Sequence, residues 1–361
     1  MMIRQLKTLT VNIIAGANTV TAILLWMSGF SDRISPVEHP LLACAGLAFP
    51  VFLCLNLAFL VFWIVFKWRM TAIPVVAFLV AYAPIRTYIP INNAGETPPE
   101  AMKVLSYNVQ GFNAQGDNYD FNAIIGYIKE SNADIVCLQE AVAGYDKADS
   151  ILKQTYPHSC VTRIGKRQDN ALALFTRYPI VRTESIGYAS EGNGSAAYFL
   201  KKGNDTILVV NNHFESNCLT LDEKLRYEEM LKGEMGQDTV RKESRKLLHK
   251  LAAAAKRRAP QADSVHKYIE EHSQYPTIVC GDFNDCPISY TRRTVAKGLT
   301  DCYTSSGNGL GLSYNQRGFY VRIDNIMCSP HFKAYGCKVD NNIESSDHYP
   351  IFCWLKKQDK P

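Results

Sequence analysis

The sequence predicts an α/β domain preceded by membrane-spanning helices, and three observations predict it. Apolar residues crowd into residues 1–91, in runs long enough to cross a bilayer. Beyond them, short apolar runs bounded by Gly or Pro alternate with stretches at helical spacing. Several of these short runs stop at a polar residue: Asn108, Glu140, His213 and Asp282. Such runs read as strands buried on both faces, and ligands in layered α/β folds gather at strand ends.

The chain of 361 residues has room for one large domain and an appended segment. A net charge of +5 permits an anionic substrate without requiring one. The sequence contains no internal repeat and no zinc-type Cys/His spacing. Of its 11 cysteines, Cys44 and Cys54 lie in the apolar segment. The odd number left over excludes a complete disulfide framework but leaves room for one or two bridges.

The membrane segment comes first. Residues 9–30 and 41–66 each reach the ~20 residues that a hydrocarbon core demands. A third run, 71–91, is shorter and carries Arg86, so the anchor has two or three spans. Arg4 and Lys7 precede the first span, and Lys67 and Arg69 follow the second, whereas the loop between them carries only Arg33. Positive charge marks the cytoplasmic side. Three spans then put the remainder of the chain outside the cytoplasm, in a periplasm-like space; two would leave it inside. Trp26, Trp63 and Trp68 sit near span ends, as interfacial aromatics do. Residues 92–101, polar and bearing Pro and Gly, read as the linker to a domain covering 102–361.

In that domain MKVLSYNV is the first strand, ending at Asn108; ADIVCLQEA is the second, ending at Glu140. Residues 195–200 and 206–212 pair across Gly203-Asn204-Asp205, a hairpin signal, and deliver His213. Residues 217–272 form a long helical stretch, the most basic of the chain, interrupted at Pro260. Its charges suit nucleic-acid backbone or anionic lipid, but a solvated face with acidic neighbours is the preferred reading. YPTIVCGDFND then ends a buried strand at Gly281 and projects Asp282, Asn284 and Asp285. Asp and Asn after Gly also make ordinary turns, so this stretch gains meaning only from its companions. YVRIDNIMCS places Asp324 in an apolar run, where an unpartnered carboxylate is costly. SSDHYPIFC sets Asp347 and His348 before the last strand. An Asp–His pair is the material of an oriented general base.

This order of Asn, Glu, His, GDFN, RID and SDH resembles the endonuclease/exonuclease/phosphatase superfamily over roughly residues 102–357. The resemblance implies a four-layer sandwich of two β-sheets flanked by helices, with the site at one edge, and a divalent-metal-dependent phosphoesterase activity. It implies Glu140 as principal metal ligand, with Asn108 beside it at the metal and the substrate phosphate, and Asp347 as the acidic residue near the metal. Asp282 would position or activate water, Asn284 would orient the phosphate and His213 would stabilise the transition state. His348, oriented by Asp324, would be the general base, with the base role exchangeable between His348 and Asp282. Oxygen ligands point to Mg²⁺ or Mn²⁺ rather than zinc. The phosphate-contacting Tyr of abasic-site endonucleases has no secure counterpart; Tyr145 and Tyr198 lie in the right interval.

Three functions compete. The first is a membrane-anchored phosphoesterase acting on a lipid headgroup or nucleotide, in a bacterial inner membrane and facing outward. The second is a nuclease on external DNA or RNA. The third is a non-catalytic binding module, disfavoured because every expected polar position is filled. A channel or transporter lacks support, since the two long spans carry no charged residue.

Overall fold

The computed structural model describes residues 2–93, 95–113, 118–316 and 318–358. The side chain of Arg4, which contributes to the orientation argument, lies outside the described residues, as do linker residue 94 and the chain end, 359–361.

The strands are, in chain order, β1 (Met102–Asn108), β2 (Ile135–Gln139), β3 (His158–Ile164), β4 (Asn170–Thr176), β5 (Ile180–Ile186), β6 (Gly194–Lys202) and β7 (Asp205–His213). There follow β8 (Thr277–Asp282), β9 (Thr300–Asp301), β10 (Tyr314–Gln316), β11 (Phe319–Val321), β12 (Asp324–Cys328), β13 (Phe332–Val339) and β14 (Ile351–Lys357). Two six-stranded sheets result, with orders β13-β14-β1-β2-β4-β3 and β5-β6-β7-β8-β12-β9. Both are mixed: β1–β2 and β7–β8 run parallel, the remaining pairs antiparallel.

Alternation along the strands explains the layering. Val104, Ile135 and Cys137 share one apolar cluster with Ile207, Val209, Ile278 and Cys280 of the other sheet. Their chain neighbours Leu105, Val136 and Leu138 pack outward against helices Asn118–Glu130 and Tyr145–Leu152. Leu208, Val210 and Val279 pack outward against helix Gln237–Glu271. Side chains at period 2 face opposite sides, so a strand covered on both faces must be apolar throughout. Each such Ile, Val or Leu contributes about 1.5–3 kcal/mol. The result is the expected four layers: helices, sheet, sheet, helices.

The predicted helical stretch divides at Gly233, a left-handed C-cap (φ 74°), into Leu221–Lys232 and Gln237–Glu271. Pro260 does not interrupt the second helix. It faces solvent, where water satisfies the carbonyl it frees, while Ala255, Ala259 and Ala262 bury the opposite face. Many of the basic side chains pair with acids: Lys250 and Lys246 with Glu223, and Arg226 with Glu243. Arg258 is buried between Asp285, Asn217 Oδ1 and the Glu215 carbonyl, so Asp285 is a structural partner. All 11 cysteines are free.

The N-terminal helices are apolar enough to cross a membrane. Two qualify outright, and Trp68–Val80 with Tyr82–Tyr88, bent by 65°, makes a third if the pair is one span. Asn18, Asn56 and Trp63 form a buried hydrogen-bonded cluster between the first two, the polar glue typical of helices in lipid. Trp63 is therefore a packing residue, not the interfacial aromatic its position suggested; Trp68 is exposed. Gly29 abuts Phe49 and Pro84 at one end of the bundle. There Ala22, Leu25, Phe49, Ala77 and Ala81 bury Ile288 of the following domain. Asp32 pairs with Arg293 at 3.6 Å, and a Cβ on Gly46 would lie 2.1 Å from the Ile288 carbonyl.

Candidate active site

Strand register brings the predicted residues together. His213 pairs with Asp282 across β7 and β8, and Asp282 with Asp324 across β8 and β12. Paired residues point to the same face, so the three side chains form a row at the edge of one sheet. The other sheet supplies Asn108, paired with Gln139 at the end of β1 and β2, and Glu140 just beyond. Beneath them Gln139 Nε2 donates to Ser106 Oγ (3.2 Å) and, across the sheets, to Asn211 Oδ1 (2.7 Å). Asn211 Nδ2 donates back to the Leu138 and Ala173 carbonyls. This buried polar tie fixes the separation of the two edges. The loop before β14 is pinned by Ser346 Oγ donating to the Asn108 carbonyl at 2.8 Å, which brings Asp347 and His348 to the same hollow.

Asp324 finds the partner its burial demands. His348 Nδ1 donates to Asp324 Oδ2 at 2.8 Å, and His348 Nε2 lies 3.6 Å from Asp282 Oδ2. Burial presses the His348 pKa down, but the charges of Asp324 and Asp282 outweigh it and raise the ring to about 10. Burial, with a contribution from Asp324, raises Asp282 to about 6 against the pull of His348 and His213. His213 Nε2 stands 3.6 Å from both Glu140 Oε1 and Asp282 Oδ2. Asn170 Nδ2, 3.4 Å from His213 Nδ1, leaves the ring proton on Nε2, facing those carboxylates. Asn108 Nδ2 donates to Glu140 Oε1 (3.1 Å) and Asp282 Oδ2 (3.2 Å).

Asn284 lies on the turn after Asp282. Its backbone N–H donates to Asp282 Oδ1 at 2.8 Å, and its amide to the Phe214 carbonyl at 3.0 Å. Glu140 and Asn284 both hold positive φ, 54° and 52°. Non-glycine residues adopt this conformation at a cost that surrounding structure must offset, and such residues cluster at functional sites. Burial raises the Asp347 pKa, the charge of Glu140 adds to the rise, and His348 and Lys224 pull against it. Asp347 and Glu140 thus line one hollow with their carboxylates, as at a cation site.

Tyr314, Lys224 and Asn170 also reach the cleft that holds these residues. The Tyr314 ring stands edge-on to His348 at 5.1 Å, and Lys224 Nζ donates to the Tyr314 hydroxyl at 2.6 Å. Tyr145 and Tyr198 do not reach it: Tyr145 packs on Phe175, and Tyr198 is buried in the core with its hydroxyl on Thr162. The assembly can hold a tetrahedral anion among amide, imidazole and cation donors, beside a carboxylate–imidazole pair able to move a proton.

Known proteins share this fold. An endonuclease/exonuclease/phosphatase family protein from Bacteroides thetaiotaomicron is 20% identical, with a TM-score of 0.52, over 72% of this chain and 98% of its own. Truncated TDP2 from Caenorhabditis elegans is 16% identical, with a TM-score of 0.51, over 72% and 99%. The human Nocturnin catalytic domain is 16% identical, with a TM-score of 0.51, over 72% and 94%. These likenesses concern the fold. A search of curated proteins finds no match. A family model described only as a domain of unknown function (DUF8431) matches residues 11–88. The model of the Endonuclease/Exonuclease/phosphatase family matches residues 105–348, more than half of the chain, which therefore belongs to that family and is a phosphoester hydrolase.

Proposed function

We propose that the chain is a divalent-metal-dependent phosphoesterase held in a membrane by residues 1–91, with residues 102–361 as the catalytic unit. The observation that carries this reading is the convergence of Glu140, Asn108, His213, Asp282 and the Asp324–His348 pair on one cleft. Glu140, Asn108 and Asp347 offer oxygen ligands to a hard cation, Mg²⁺ or Mn²⁺. The buried trio Asp282, Asp324 and His348 also lies within ligating distance of itself. There His348 Nδ1 already bonds Asp324 Oδ2, and the raised imidazole carries a positive charge that repels a cation. The Glu140 side of the hollow therefore suits the ion better. When bound, the ion neutralises charge on the phosphoryl oxygens and acidifies bound water.

The protein's own groups do the rest. Asn284 and His213 Nε2 orient the phosphate and stabilise the charge that builds on it. The attacking water sits beside Asp282 and His348; a ring raised to about 10 is already protonated near neutral pH, so the Asp282 carboxylate accepts the water's proton while the charged His348 stays as a donor to the developing negative charge. Asp324 holds the His348 ring in place and balances its charge.

Two features support a membrane location with the catalytic unit outside the cytoplasm, as in a bacterial inner membrane. Residues 31–48 and the end of the third apolar segment both contact the catalytic unit. Lys67 and Arg69 lie at the other end of the second span, where the positive-inside rule puts the cytoplasm. The ion pairing of Lys246, Lys250 and Arg226 weakens the nuclease reading.

The test is hydrolysis of a chromogenic phosphodiester by the full chain. Glu140→Gln is expected to abolish turnover while leaving the melting temperature unchanged. Chelation is expected to stop the wild type, and Mg²⁺ or Mn²⁺ to restore it. Turnover that survives the chelator would overturn the metal-dependent reading.

A further inference from the structure

The catalytic cleft is far larger than a phosphate requires, and its lining extends to the apolar N-terminal segment. Its volume is ≈ 1420 Å³, beyond the ~300–1,000 Å³ of ordinary small-molecule pockets. From Glu140 and His348 it runs between two apolar walls. Leu247, Leu248 and Leu251 of helix Gln237–Glu271 form one wall. Leu47 and Val51, at the start of the second membrane-spanning segment, line the other. Cys44 packs on Ala252 and Ala255 and joins the walls.

Val51 and Leu55 lie one turn apart and are 57% and 42% exposed. The apolar lining therefore continues, on one face of the helix, from the cleft onto the surface that faces lipid. A polyanion has no use for such walls, and a free phosphomonoester would leave them wet. An acyl chain matches them throughout.

We propose that the substrate is a phospholipid-type amphiphile drawn from the bilayer along the Val51–Leu55 face. Its chain lies between Val51 and Leu248, and its phosphoester sits at Glu140, Asp282 and His348. This inference rests on the phosphoesterase reading above, and it names the substrate class of that same site.

The test uses the full chain in a phosphate-free maltoside detergent with Mg²⁺ or Mn²⁺, so that no host phospholipid competes for the cleft. A chromogenic phosphodiester, a single-stranded DNA oligonucleotide and phosphatidylglycerols of increasing acyl length are compared by kcat/KM. For short-chain phosphatidylglycerols presented as monomers in water, where each methylene leaves water on binding, the expected result is a rise of about two- to fourfold per added methylene over the first several carbons. In Val51→Ser and Leu248→Ser this slope flattens; both positions are exposed, so neither change empties a core. Leu57→Ser, on another face of the same helix and 54% exposed, keeps the wild-type slope. Turnover of the chromogenic diester with no dependence on acyl length would overturn the lipid inference and leave the phosphoesterase standing. Preferential cleavage of DNA would do the same. Silence on every substrate would overturn both.

Discussion

Asp324 shows how a single residue's cost becomes readable. A carboxylate in an apolar strand needs a partner, and His348 supplies it at 2.8 Å while Asp324 Oδ1 stays buried without a hydrogen bond among the described residues. Asp324→Asn keeps the shape but removes the charge that raises His348. The expected outcome is a His348 pKa well below about 10 by NMR titration and turnover reduced about 10²–10⁴-fold. An unchanged titration would separate Asp324 from His348. The sign for stability is also fixed. A raised imidazole stabilises the fold fully below its ordinary pKa of about 6.5, and this contribution is lost as pH rises through about 10. His213, Asn284 and Asp347 were legible because each closes or opens a strand-like run. Asn170 and Tyr314 were not. They reach the cleft from another hairpin and another strand, and nothing in their local sequence marks the residue whose side chain they meet.

At the scale of elements, the junction of β7 and β8 decides the site. Gly281 holds φ 130°, and a Cβ there would lie 1.9 Å from the Asn212 carbonyl. Gly281→Ala must push apart the two strands whose ends carry His213 and Asp282. A loss of about 3 kcal/mol or more is expected in chemical unfolding, with activity falling in parallel; a loss within error would mean that the strands can yield there. The helical pair beside the cleft behaves differently. Thr220 and Glu223 form a capping box, and Lys250 joins Glu223 across the two helices. The hydrogen bond from Lys250, and then that from Thr220, lower Glu223 to about 2. A depressed carboxyl stabilises fully above its ordinary value of about 4.5, and that contribution fades as pH falls through about 2. Proteolysis within residues 221–250 should therefore rise on acidification over that window in wild type and not in Glu223→Gln, which should be cut more readily above it. The sequence marked this pair as one helical stretch broken at Pro260. The break falls instead at Gly233, because burial on the sheet sustains the helix through a proline that faces water.

At the scale of the molecule, the apolar segment and the catalytic unit form more contacts than a polar linker led the sequence to suggest. Linker composition reports local flexibility, whereas docking depends on residues far away in sequence. Ile288 is 2% exposed under Phe49 and its neighbours. Arg322, buried, donates to the Leu310 carbonyl and to the Thr87 carbonyl of the last apolar helix. Arg86 donates to Thr304 O at 3.1 Å. A chain beginning at residue 92 would uncover Ile288, at about 1.5–3 kcal/mol, and remove one acceptor from a buried guanidinium. At about 2–4 °C per kcal/mol for a domain of this size, its melting temperature should lie roughly 5–10 °C below that of the full chain in the same detergent. The freshly exposed apolar face should also make it self-associate, detectable by light scattering. If the truncated chain melts with the full chain and stays monomeric, the docking contributes nothing to stability. Under the membrane reading proposed above, the apolar segment would then matter only for where the cleft meets the bilayer.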